Sequence, residues 1–245
     1  MSTLVLDIET VGEDWNTLDE TTKKVLARWI NKTARNEEEK QSLLQDLQMN
    51  LGFSPLTGFI VALGIFDLER EKGVVYYTGE GDGKEREGIK NFVFKERTER
   101  ELLEEFWQGA EHYDTFVTFN GRAFDVPFLM HRSAAHGLRP TKNLLEGRYP
   151  YQQRSCRHLD LQDELTFFGA MSKRPSLHLF CRAYGVESPK EEGSGDDVAE
   201  LFASKKFRDL ATYNAGDVIA TAELYKKWRD FLSFYQVETE GMIDF

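Results

Sequence analysis

The chain opens Met-Ser-Thr-Leu-Val-Leu-Asp-Ile-Glu-Thr, which sets two carboxylates, Asp7 and Glu9, into a β-branched and aliphatic run. In an extended strand alternate residues share a face, so both acids project to the same side. Burying two negative charges on an apolar strand is costly unless positive charge answers them. An all-oxygen donor set of this kind suits Mg²⁺ or Mn²⁺. Taken alone, the pair fits equally a strand end at which both acids reach water.

Two further segments carry residues of the same character. In residues 119–129, FNGRAFDVPFL, Asn120-Gly121 ends a strand and Pro127 suits a first helical turn. Asp125 therefore stands near a helix N-terminus, where an ordinary N-cap is the competing reading. In residues 212–221, TYNAGDVIAT, Tyr213 and Asp217 lie one turn apart on a helix. They share a face, about 6 Å apart along the axis. Gly216 between them costs roughly 1 kcal/mol relative to Ala, which makes sense where something approaches the helix closely. An amphipathic helix with one solvated acid is the plainer alternative.

The elements that must position these residues follow from apolar patterning. Residues 3–8, 59–66, 74–78 and 115–119 read as strands, with shorter ones near 92–95 and 158–161. Residues 59–66 and 74–78 form a hairpin. Between the first two strands, residues 16–51 change character: apolar residues recur at helical spacing among charges, predicting two helices as an insertion. The run Asn36–Lys40 is a solvated turn or helix face. Residues 79–88, GEGDGKEREG, read as a flexible loop, because no Gly-Lys-Ser/Thr follows to make a phosphate cradle. Thr98 with Glu101 forms a capping box for a helix to about 112. Further helices are expected at 125–136, near 162–168, 176–184 and 196–203, and from 206 to 234. Residues 139–157 form a loop with Arg139, Lys142, Arg148, Arg154 and Arg157 against one acid, Glu146. The order predicts one α/β domain over 1–245, built on a mixed sheet.

Composition narrows the function classes. A net charge of −11 argues against a protein that coats nucleic acid by bulk electrostatics. It leaves room for an enzyme that gathers acids around metal ions and grips phosphate through them. No apolar run approaches a membrane span. The N-terminus lacks the basic start of a secretory signal. Cys156 and Cys181 make neither a metal spacing nor a disulfide framework, so a reducing, cytoplasmic setting is expected.

Together the motifs Asp-Ile-Glu-Thr, Phe-Asn-x-x-x-Phe-Asp-x-Pro-Phe-Leu and Tyr-Asn-x-x-Asp-Val resemble the three exonuclease motifs of the proofreading domain of family B DNA polymerases. The broader group is the DEDD exonucleases. More narrowly, the chain resembles the stand-alone 3′→5′ exonucleases related to those polymerases. The resemblance runs from Asp7 to Asp217, and Asn120, Phe124 and Pro127 match the polymerase-B branch rather than the RNase D branch. It implies a ribonuclease H-like fold, a five-stranded mixed sheet flanked by helices. The helical insertion after the first strand is a departure whose role does not carry over.

The resemblance further implies that Asp7, Glu9, Asp125 and Asp217 hold two divalent metal ions, Mg²⁺ or Mn²⁺. Tyr213 would orient the attacking water by a hydrogen bond. A sister class carries histidine five residues before the last aspartate; Thr212 stands there, so this is the tyrosine type. The expected reaction is hydrolysis of single-stranded nucleic acid, DNA ahead of RNA, from the 3′ end to mononucleotides. Thr10, Asn120, Phe124, Arg148 and Arg154 are the candidate substrate contacts, with Phe128, Tyr149, Tyr151 and Tyr235 as further aromatics. The alternatives are an exoribonuclease of the same chemistry and a non-catalytic nucleic-acid-binding module. An inactivated module would ordinarily have lost an acid, and all four acids and the tyrosine are present.

Overall fold

The computed structural model describes residues 2–79, 83–188 and 195–234. Its frame is a mixed sheet in the order β4-β5-β3-β2-β1-β6-β7. The strands are β1 (Thr3–Gly12), β2 (Gly58–Asp67), β3 (Lys72–Tyr77), β4 (Glu85–Glu87), β5 (Phe92–Glu96), β6 (Thr115–Thr118) and β7 (Arg157–Asp160). β1 runs antiparallel to β2 and parallel to β6, which is parallel to β7. The expected hairpin of β2 and β3 is present.

Among the described residues the sheet has seven strands, not the five that the resemblance implied. β4 lies inside the segment read as a loop, of which residues 80–82 fall outside the described residues. Glu-Arg-Glu carries no apolar alternation to betray a strand. It is held at the sheet edge by pairing with β5 and by charge: Glu85 meets Lys95 at 3.0 Å, and Arg86 donates to the Tyr77 hydroxyl at 2.9 Å. Charged residues on a short edge strand also discourage pairing with other chains.

Two helical layers cover the faces, and β1 shows how the sequence sorts them. Leu4, Leu6 and Ile8 point into one core with α4 (Glu99–Ala110) and α5 (Asp125–Ala135). Val5 and Val11 point into the other. That second core is closed by α6 (Leu161–Leu165), α7 (Leu177–Tyr184), α8 (Gly195–Ala203) and α9 (Phe207–Phe231). The capping box at Thr98 and Glu101 is present. Strand alternation therefore assigns Asp7 and Glu9 to the α9 face, on which Val5 and Val11 are core.

The insertion contains three helices rather than two: α1 (Glu20–Leu26), α2 (Ile30–Thr33) and α3 (Glu37–Met49). Asn36 caps α3 by accepting from the Glu39 N–H, so the acidic run is a helical first turn. No residue of α1 or α3 is buried. The insertion is fastened at its return, where Leu51–Phe53 forms a 3-10 turn against β1. A side chain on Gly12 would strike Leu51 and Gly52, so the two segments meet backbone to backbone. Among the described residues, no helix is long and apolar enough to cross a membrane.

Candidate active site

The interior strand β1 and the closing helix α9 meet at three acids. Asp7 and Glu9 of β1 and Asp217 of α9 each present a carboxylate oxygen within 4.8 Å of the others. Asp217 is buried and the other two are half-buried. The strand register shifts between Glu9 and Thr10: Glu9 faces Ala62 but Thr10 faces Ile60, so β2 carries an extra residue there. A bulge of this kind bends the strand and re-aims its side chains beside a site.

α9 reaches the sheet this closely because β2 makes room. Gly64 lies opposite Asp7, and a Cβ on it would come within 2.3 Å of Asn214 Oδ1 and 2.7 Å of Val218 Cγ2. The close approach thus lies at Gly64 on the strand, whereas Gly216, where the sequence placed it, is half-buried. Asn214, fully buried, fills the gap. Its Nδ2 donates to Asp7 Oδ2 at 2.9 Å and to the Asp7 main-chain oxygen at 3.3 Å. Its Oδ1 is buried with no hydrogen-bond partner among the described residues. An orphaned acceptor of this sort costs about 1–3 kcal/mol. Tyr213, half-buried on α9, rests its ring on the core one turn before Asp217.

Asp125, the first residue of α5, is buried and stands beside this trio rather than within it. Its Oδ1 accepts the Ile8 N–H at 3.1 Å. β6 pairs β1 only as far as Val5, so this amide lies beyond the paired stretch. Burial raises the Asp125 carboxyl well above the usual carboxylate range; its own backbone N–H and that of Ile8 oppose the rise, and the charges of Asp160 and Asp217 add to it. Three clustered carboxylates and a fourth beside them, all oxygen donors, fit hard divalent cations.

A second tier sets where Asp125 stands. Asp160, at the end of β7, accepts the backbone N–H groups of Asn120 at 2.8 Å and Arg122 at 3.0 Å. This holds the turn before α5, in which Asn120 adopts φ 63°, a conformation that asparagine tolerates better than most residues. Beneath it, buried His158 bridges Thr118 Oγ1 at 2.9 Å and the Leu144 carbonyl at 2.8 Å. A side chain on Gly121 would collide with Thr118.

The expected substrate contacts are placed unevenly. Thr10 donates its hydroxyl to the Gly52 carbonyl at 2.7 Å, pinning the insertion to β1. Asn120 Oδ1 accepts from Arg174 at 3.2 Å. Arg148 forms a two-pronged ion pair with Asp163, at 2.7 and 3.2 Å. Arg154 is exposed, and its backbone N–H is held by Glu146. Phe124 is half-buried, whereas Phe128 is core. Tyr149 and Tyr151 stack with centroids 5.7 Å apart; Tyr235 lies outside the described residues. Asn214, His158, Asp160 and Phe53 went unassigned in the sequence. Phe53, 57% exposed on the return of the insertion, sets its ring 6.3 Å from Phe124. Of these four, Asn214 alone lay inside a motif that the sequence singled out.

The frame that brings Asp7, Glu9 and Asp217 together is a mixed α/β sheet flanked by helices, with β1 and the last helix carrying the cluster. The fold is similar to the family B DNA polymerase from the hyperthermophilic archaeon Pyrobaculum calidifontis, with a TM-score of 0.56 and 17% identity over 93% of this chain and 24% of that one. The chain belongs to the family described as "Predicted 3'-5' exonuclease related to the exonuclease domain of PolB", which matches residues 74–239. It is also similar to the catalytic chain of DNA polymerase epsilon from Schizosaccharomyces pombe, 30% identical over 148 residues. The Saccharomyces cerevisiae counterpart is 29% identical over 150 residues. Each match takes in 56% of this chain, which spans only 6% of either polymerase. The family match contains Asp125, Tyr213 and Asp217 but begins after Asp7 and Glu9; the fold supplies that first pair.

Proposed function

We propose that this protein is a metal-dependent 3′→5′ exonuclease that hydrolyses single-stranded DNA to mononucleotides. The observation that carries the reading is the meeting of Asp7, Glu9 and Asp217 within 4.8 Å. Acids this close repel one another unless cations answer them. Asp7, Glu9 and Asp217 would hold one divalent ion, and Asp7 with Asp125 a second. When bound, such ions lower the pKa of a water and stabilise charge on the leaving oxygen.

The chain's own residues do the rest. Tyr213, one turn before Asp217, is the hydroxyl we assign to aiming the attacking water. Phe124 and Phe53 offer ring faces to the terminal bases, since base stacking is tolerant of sequence. Arg154 is an exposed cation of the basic loop and is assigned to the phosphate backbone. Arg148, already paired with Asp163, contributes by holding that loop in place. Thr10 and Asn120 line the approach through the backbone they fix.

The test uses end-labelled single-stranded DNA and RNA of one sequence, with and without Mn²⁺. We expect Mn²⁺-dependent release of mononucleotides from DNA. A bulky group on the 3′ terminus should slow it, and the same group on the 5′ terminus should not. Efficient cutting of a closed circular strand would show an endonuclease instead. Faster loss of RNA than of DNA would make the enzyme an exoribonuclease. Absence of cleavage of either strand would leave a binding module.

A further inference from the structure

Asn214 is neither an acid nor a proton carrier, yet it occupies the most enclosed position at the carboxylate centre. Its amide nitrogen holds Asp7 twice, by the charged Oδ2 at 2.9 Å and by the strand backbone at 3.3 Å. The orientation is dictated by chemistry: a flipped amide would set its oxygen against two acceptors. The opposite end of the side chain gains nothing, because Oδ1 is buried with no hydrogen-bond partner among the described residues. The strand itself leaves room for this residue, since any Cβ at Gly64 would displace it. An asparagine that served packing alone could be replaced by an apolar isostere with no orphaned acceptor. The arrangement makes sense if the donor end matters more than the acceptor end.

We infer that Asn214 is a positioning residue. It fixes the side-chain angle of Asp7 by engaging Oδ2, and so dedicates Oδ1 to a divalent cation. The inference rests on the cation reading above. An amide suits the task. A Lys or Arg there would neutralise Asp7 and compete with the cation. A second carboxylate would repel it. A serine hydroxyl would be too short to span from α9 to both oxygens. Partners of metal ligands are worth about 10–100-fold in affinity elsewhere.

The test measures Mn²⁺ binding by calorimetry, and the thermal midpoint without metal, on the full chain as wild type, Asp7→Ala, Asn214→Ala and Asn214→Leu. Wild type should bind Mn²⁺ and Asp7→Ala should not; failure of that pair sinks the cation reading itself. Given that pair, Asn214→Leu, which keeps the branched shape and removes the orphaned acceptor at the cost of larger methyl groups, should stay folded without metal. Its Mn²⁺ affinity should fall about tenfold, as should that of Asn214→Ala. Excess Mn²⁺ should restore part of the lost rate. Affinity lost while the fold is kept is the signature of positioning. Unchanged affinity in folded Asn214→Leu would overturn the inference. So would loss of folding in both variants, which would make Asn214 a structural residue.

Discussion

Asp125 reaches outside its own helix: its Oδ1 accepts the N–H of Ile8, 117 residues away, at 3.1 Å. Ile8 is the residue between Asp7 and Glu9. One hydrogen bond thus ties the acid of α5 to the backbone that carries the first two.

That bond separates two roles of Asp125 that mutation can divide. Asp125→Asn keeps an acceptor for Ile8 and removes the charge. The carboxyl's titration is raised by burial, so in the metal-free protein its contribution to folding is present at acid pH and lost as pH rises toward neutrality. Asp125→Asn should therefore have a higher thermal midpoint than wild type at pH 8 without metal, and little nuclease activity. Asp125→Ala should lose both activity and stability. Equal midpoints for Asn and Ala variants would show that the bond to Ile8 contributes nothing.

Tyr213→Phe removes a hydroxyl and keeps the ring that rests on the core. Mn²⁺ and DNA binding should survive while the rate falls by roughly 10²–10⁴, the range for losing a positioned proton-handling group. Asp217→Asn should weaken Mn²⁺ binding as well. Normal turnover in Tyr213→Phe would remove the tyrosine from the reaction.

His158 predicts a pH dependence of folding away from the carboxylates. Burial lowers its pKa from 6.5 to about 4; the bond to Leu144 opposes this and the charge of Arg122 adds to it. The unfolded chain therefore takes up the proton first. Stability from neutral His158 is full above pH 6.5 and is lost as pH falls from 6.5 toward 4, by about 3 kcal/mol in all. Urea unfolding of wild type and His158→Gln across this range is the check. The difference between the two curves should shrink on acidification, and parallel curves would contradict the assignment.

Phe53→Ala leaves every proposed metal-binding group in place. It should raise the KM for single-stranded DNA about tenfold with kcat little changed, since stacking on one base is worth roughly 1–3 kcal/mol. Phe53→Trp should restore the KM. A KM indifferent to both substitutions would assign Phe53 to holding the insertion only.

Much of this molecule is legible in its sequence, and the parts that are not share a cause. β1, β2, β3 and β6 stand out because apolar residues buried on two faces leave continuous runs. Asp7 and Glu9 stand out against that background. β4 does not, because an edge strand held by ion pairs has the composition of a loop. The insertion reads as two helices because Val25, Leu26, Trp29 and Ile30 keep helical spacing, but Val25 and Trp29 are exposed and only Ile30 is buried among them. Asn214 lies in a visible motif, yet its meaning depends on Gly64, and no local pattern links the two. Likewise His158 is defined by Thr118 and Leu144, which reach it only through the sheet.

Asn214 and Asp7 touch across 207 residues, and this long closure bears on when the carboxylate cluster can form during synthesis. A ribosome-bound chain carries Asp7 and Glu9 long before Asp217 has been added. Until then it also lacks the amide that steadies Asp7. A half-made or prematurely terminated product would hold two carboxylates on a strand without the helix that completes their site. The cluster of Asp7, Glu9 and Asp217 thus comes into being only once residues distant in the chain, on β1 and α9, are both present.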